Sequence, residues 1–132
     1  MTPRCMSNVV TAARAAIGAR FRLHGRDPAS GLDCVGLVAF AYGHRAVPSG
    51  YALRGGDPAA VAAQIAACGL MPVEDAAAGD LLLCASGPGQ LHFAIDSGGG
   101  VIHADAMLRR VVERPGAVPW PVLGRWRLSG EG

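Results

Sequence analysis

The apolar positions change period near residue 79. Before it they recur at helical spacing; from Gly79 onward they form short β-prone runs separated by glycine-rich turns. Ser7 predicts the cap of a first helix running to about Phe21, with Val9, Val10, Ala13, Ala16 and Ile17 on one face. A turn-rich stretch follows, H-G-R-D-P-A-S-G-L-D, in which Gly25, Pro28 and Gly31 break the periodicity. Asp33 predicts the N-cap of a short buried helix, C-V-G-L-V-A-F-A-Y, ending at Gly43. Glycine and proline punctuate a loop over residues 44–57, and Pro58 opens a third helix that Gly69 closes. The runs L-L-L-C-A, L-H-F-A-I, V-I-H-A-D and R-V-V-E-R then predict strands, and L-G-R-W-R-L an edge or final strand. Helices come first and a strand meander second, without β–α–β alternation. The predicted fold class is α+β, with N-terminal helices packed on a C-terminal antiparallel β-sheet.

Length and composition narrow the choice of function. At 132 residues the chain suits one domain, 1–132, large enough to bury a core without disulfide staples. Hydrophobic residues make up 51% and charged residues 17%, which excludes a disordered chain. A net charge of +2, with no basic run carrying interleaved aromatics, argues against a nucleic-acid partner. All 12 basic residues are Arg, a bias that weakens any argument from the presence of a single Arg. Cys5, Cys34, Cys68 and Cys84 are widely spaced and form no C-x-x-C pair, so reduced thiols are expected. No segment has the length and apolarity needed to insert in a membrane. The N-terminal residues lack the continuous apolar stretch of a signal peptide, so synthesis in the cytoplasm is expected.

Three places put polar chemistry among apolar residues. Cys34 opens a helix, where the macrodipole and free backbone N–H groups favour a thiolate; Gly36 lets backbone or substrate approach closely. His92 shares a strand face with Ala94, and His103 lies on a short strand after a glycine-rich turn. Singly, each has a plain structural reading: a buried packing thiol or a hydrogen-bonded core histidine. Together they form the set that a Cys–His nucleophile needs, with one imidazole as base and the second fixing its tautomer. One Cys and two His also suit zinc, with Asp96 or Asp105 as the fourth ligand. The catalytic reading is preferred, with no metal and no cofactor. His24 and His44 read as surface residues, Cys5, Cys68 and Cys84 as exposed or packing thiols, and Trp120 and Trp126 as lid or core packing.

Four pieces in order resemble the NlpC family of bacterial cell-wall cysteine peptidases. G-A-R-F-R-L-H-G resembles the upstream Gly-x-x-Tyr segment, and G-L-D-C-V-G-L-V the nucleophile motif. G-D-L-L-L with L-H-F-A-I resembles the strands leading to the general base, and V-I-H-A the strand of the orienting residue. The resemblance runs from about Ile17 to Trp126 and implies a papain-like fold, with Cys34 as nucleophile, His92 as base and His103 as orienting residue. It implies a peptidoglycan stem peptide as substrate, cut between D-glutamate and the diamino acid or L-lysine that follows. Two departures stand out. Phe21 replaces the family's Tyr and lacks its hydroxyl, and Val35 replaces the Ser that commonly follows the nucleophile in recognition of a free peptide amine. Asp33 is retained for part of that role, and Arg22 and Arg26 are placed at the cleft entrance to meet substrate carboxylates.

The segment F-R-L-H-G-R-D-P before the cysteine motif looks most like the short subgroup encoded among phage or gene-transfer-agent tail genes. That likeness implies delivery to the cell wall in a phage-like particle, with tail proteins as partners. Two rivals keep the fold: a non-catalytic structural tail protein, and an amidase or acyltransferase on another substrate.

Overall fold

Three helices and a six-stranded antiparallel sheet account for most of the described residues, 6–43 and 57–128 of this computed structural model. Helix α1 (Met6–Ala15) comes first, then the short strands β1 (Arg26–Asp27) and β2 (Gly31–Leu32), then helices α2 (Cys34–Ala41) and α3 (Pro58–Ala67). The large sheet contains β3 (Leu70–Pro72), β4 (Leu81–Gly87), β5 (Gln90–Asp96), β6 (Gly100–Asp105), β7 (Arg110–Pro115) and β8 (Val122–Leu128). Most of the 44–57 loop, together with Cys5 and His44, lies outside the described residues.

Local chemistry explains the boundaries. The Asp33 side chain accepts the Gly36 N–H and caps α2, while Asp57 caps α3 with Pro58 at its first position. α1 ends earlier than the periodicity predicts. Gly18 adopts φ 92°, and the backbone beyond it bonds to the β7 edge through Gly18 N–H to Val111 O and Val111 N–H to Ala19 O. Residues 18–21 therefore blunt a sheet edge instead of extending the helix.

The sheet order is β3-β8-β4-β5-β6-β7, so β8 comes back to lie between β3 and β4. Alternation along the strands separates two apolar clusters. Leu81, Leu83, Phe93, Ile95 and Ile102 pack with Val9, Ala13, Leu37, Val38 and Ala41 of the helices. Leu82, Cys84, Ala94 and Val101 form a second cluster, against Val118 and Trp120. One irregularity prepares the site. β5 and β6 pair only at Ile95↔Ile102 and Asp96↔Val101, so their ladder ends short of both His92 and His103. Among the described residues no helix is long and apolar enough to cross a membrane.

Candidate active site

Cys34 is the first residue of α2 and lies against the opening where β5 and β6 part. The Phe93 N–H, which a continued ladder would direct to β6, acts on the Cys34 thiol instead. Across the opening, His92 Nε2 lies 3.0 Å from His103 Nδ1, with the rings edge to face. Trp120 closes the trio, its ring centroid 5.0 Å from that of His92 and 4.9 Å from that of His103. Beyond His103, Asp105 Oδ2 stands 4.0 Å from Nε2. Cys34, His92 and His103 all line one cavity of about 480 Å³.

This bond couples the tautomers of the two rings. With His92 Nε2 committed to His103, Nδ1 is the nitrogen left to act as a base. For Nδ1 of a neutral His92 to serve as base, its hydrogen must sit on Nε2 and be donated to His103 Nδ1, which places the His103 hydrogen on Nε2, toward Asp105.

Burial decides the resting charges. It pushes the Cys34 thiol up to about 11; the neighbouring Asp33 charge adds to the rise, and the backbone N–H groups of Phe93, Val35 and Cys34 oppose it. His92 is held down to about 4, first by burial and then by the charge His103 would carry, with Asp105 opposing. Burial also lowers His103 despite Asp105, and Arg114 assists the lowering. The thiolate that the helix N-terminus favours on sequence grounds is therefore not the resting form. Desolvation outweighs the dipole, and the site rests as a neutral thiol beside a neutral imidazole.

The remaining predicted residues divide. Phe21 and Asp33 line the cavity; Arg22 and Arg26 do not. Arg26 turns inward, with Nη1 2.9 Å from Asp33 Oδ1 and 2.9 Å from the Gly25 carbonyl. Asp33 thereby receives three donors, since the Gly36 N–H reaches Oδ1 at 2.8 Å and the His24 N–H reaches Oδ2 at 2.7 Å. Sequence reasoning passed over the ring contacts of Trp120, and it offered Asp105 only as a metal ligand rather than as the carboxylate beside His103. Asp105 was visible as the residue two beyond His103 on the same strand face; the Trp120 contacts had no local signal. Among the described residues no three His, Cys, Asp or Glu side chains form a group able to hold a metal ion.

No family model and no curated protein matches the chain. Solved structures do. The NlpC/p60 domain of the peptidoglycan hydrolase SagA is 30% identical over 83% of this chain and 88% of that one, with a TM-score of 0.54. The chain belongs to the NlpC/P60 family. The NlpC/P60 fold is seen again in NlpC1 from Trichomonas vaginalis, 19% identical over 92% of this chain with a TM-score of 0.69. It recurs in the peptidoglycan hydrolase RipB from Mycobacterium tuberculosis, 20% identical over 96% of this chain with a TM-score of 0.67. The chain spans 43% of the NlpC1 structure and 65% of the RipB one. The papain-like α+β architecture expected of an NlpC/P60 chain is the one observed.

Proposed function

We propose that this NlpC/P60 chain is a peptidoglycan endopeptidase that hydrolyses a stem-peptide amide bond, between D-glutamate and the diamino acid that follows, by a Cys34–His92–His103 mechanism. The supporting observation is the 3.0 Å bond from His92 Nε2 to His103 Nδ1 beside a cavity that Cys34 also lines. With Nε2 so engaged, Nδ1 of His92 is the nitrogen left to serve as the base, and the bond favours one ring orientation.

Because the thiol rests protonated, His92 Nδ1 takes its proton as Sγ attacks the scissile carbonyl. Negative charge develops on the carbonyl oxygen, where the Cys34 N–H at the start of α2 serves as oxyanion donor, worth about 3 kcal/mol. The C–N bond breaks as His92 returns the proton to the leaving amine. Water, deprotonated by His92, then opens the thioester and restores the thiol. His103 accepts the His92 Nε2–H throughout, and the Asp105 charge favours the transient imidazolium.

Incubation with defined muropeptides and mass-spectrometric identification of products tests the proposal. New D-glutamyl carboxyl termini are expected, and Cys34→Ala abolishes them. Products persisting with Cys34→Ala would remove the mechanism. Placement in a phage-like particle rests on the likeness of residues 21–28 alone, and detection of the chain in purified particles tests it.

A further inference from the structure

We infer that Trp120 is a positioning residue for the imidazole pair: the connection between β7 and β8 lays its indole against His92 and His103 and holds the two rings together where the sheet itself does not. The consequence for turnover rests on the endopeptidase reading; the positioning does not.

The strands leave the spacing of the two rings unsupported. The β5–β6 ladder ends at Ile95↔Ile102, so no backbone pairing at His92 or His103 sets how far apart the imidazoles stand. An imidazole turns easily about its last side-chain bond, and one 3.0 Å hydrogen bond between two such rings leaves both free to tilt. The path of the chain supplies a third surface. β8 lies between β3 and β4, so residues leaving β7 cross β6 and β5 to reach it. The Gly116 N–H bonds to the Gly99 carbonyl at 2.8 Å, in the turn between β5 and β6. At the other end the Pro121 carbonyl accepts the Ala85 N–H of β4 at 2.9 Å. Both ends of this strap are tied to the sheet it crosses, and Pro119 and Pro121 restrict the backbone on either side of Trp120.

The strap runs on the sheet face away from the helices. Val118 and Trp120 pack on Leu82, Cys84, Ala94 and Val101, a cluster in which no described helix residue takes part. His92 lies two residues before Ala94 and His103 two after Val101, so both rings extend that face. The indole meets them at centroid distances of 5.0 and 4.9 Å, and the three rings stand nearly perpendicular to one another, at 76°, 83° and 89°. Each imidazole is thus held on one side by its partner and on another by an aromatic surface.

Trp120 carries no charge, so it acts by contact and by excluding water. The titratable groups around the pair lie elsewhere. His24, Asp33 and Cys34 stand on the α2 side, Cys84 on β4, Asp105 on β6, and Glu113 and Arg114 on β7. Truncating the indole leaves that set of charges unchanged and lets water reach both rings. Burial is the first cause that keeps the two imidazoles neutral, so hydration from this side raises them.

Side-chain NMR of the histidines in the full chain, followed without substrate from about pH 3.5 to 8, tests the positioning. Trp120→Ala is expected to raise the His92 midpoint from near 4 by about one pH unit or more, and Trp120→Phe, which keeps a ring there, to restore most of it. Val118→Ala trims the same strap away from the rings and is expected to leave the midpoint in place. If Trp120→Ala does not fold, Trp120→Val is the smaller truncation with the same expected direction. On muropeptides, Trp120→Ala is expected to lower kcat about tenfold with KM within about twofold, and Trp120→Phe to regain part of kcat. A raised midpoint in a chain whose wild type cleaves no muropeptide would sink the endopeptidase reading and leave the positioning role standing. The inference is overturned by a midpoint that truncation does not move, that Val118→Ala moves as far, or that Trp120→Phe does not restore. In an active enzyme, an unchanged kcat overturns it too, as does a loss confined to KM, which would make Trp120 a substrate contact.

Discussion

The Gly25 carbonyl oxygen occupies the place where a side chain at Gly36 would begin. The close approach foreseen at Gly36 is thus one of backbone to helix: the loop carrying His24 and Arg26 lies directly on the first turn of α2. Gly36→Ala forces backbone against Cβ and is expected to lower stability by about 1–3 kcal/mol. Because the same loop delivers the His24 N–H and Arg26 to Asp33, kcat should fall with it. Denaturant unfolding beside an activity assay checks both, and an unchanged midpoint would contradict the contact.

In the proposed mechanism His103 holds His92 through an acceptor, so what replaces it matters. His103→Ala is expected to lower kcat by about 10²-fold and leave KM nearly unchanged, since Nε2 of His92 loses its partner while the cavity persists. His103→Asn, which offers a carbonyl oxygen, should recover part of the loss, whereas His92→Ala should be nearly inactive. Equal activity of the Ala and Asn variants at position 103 would show that the acceptor is not what counts.

The pKa directions set two pH windows. In the proposed mechanism His92 works as a base only when neutral, so its pKa of about 4 is expected to place the acid limb of kcat/KM near pH 4 rather than near the usual 6.5. The same depression acts on stability. Between about pH 4 and 6.5 the unfolded chain binds the proton that native His92 refuses, so stability is full above 6.5 and falls as pH drops through that window. Cys34 acts in the opposite direction: between about 9 and 11 the unfolded thiol ionises first, so stability falls as pH rises. Melting temperature against pH should therefore show both flanks, with the acid one reduced in His92→Gln. Iodoacetamide at pH 8 should modify Cys34 more slowly than free cysteine; faster modification would mean a preformed thiolate.

Asp80 is a fully buried carboxylate held by Arg125 Nη1 at 2.9 Å and Arg127 Nε at 2.8 Å, and it accepts the Ala77 N–H at 3.0 Å. Removing it leaves two guanidinium groups without their shared partner, although Arg125 keeps Asp96 at 2.8 Å. Asp80→Ala is expected to cost about 3–5 kcal/mol, read from denaturant midpoints. A loss below 1 kcal/mol would assign the stability of this corner to packing alone.

The sequence by itself determined the pieces governed by short spacing. An aspartate three residues before Gly36 caps a helix that begins at Cys34, because an N-cap bond spans three residues. Period-2 alternation sets His92 beside Ala94 on one strand face, and the following turn brings β6 next to β5 with His103. The end of α1, the insertion of β8 between β3 and β4, and the Trp120 contacts lay beyond that reach, since each depends on which distant surfaces meet. Only the tertiary structure decided the charges of the site. The helix start favours a thiolate at any such cysteine, but packing against β5 desolvates this one, and the loop over α2 brings Arg26 onto the carboxylate of Asp33. Desolvation and ion pairing are set by the whole enclosure around an atom, which residue spacing does not encode.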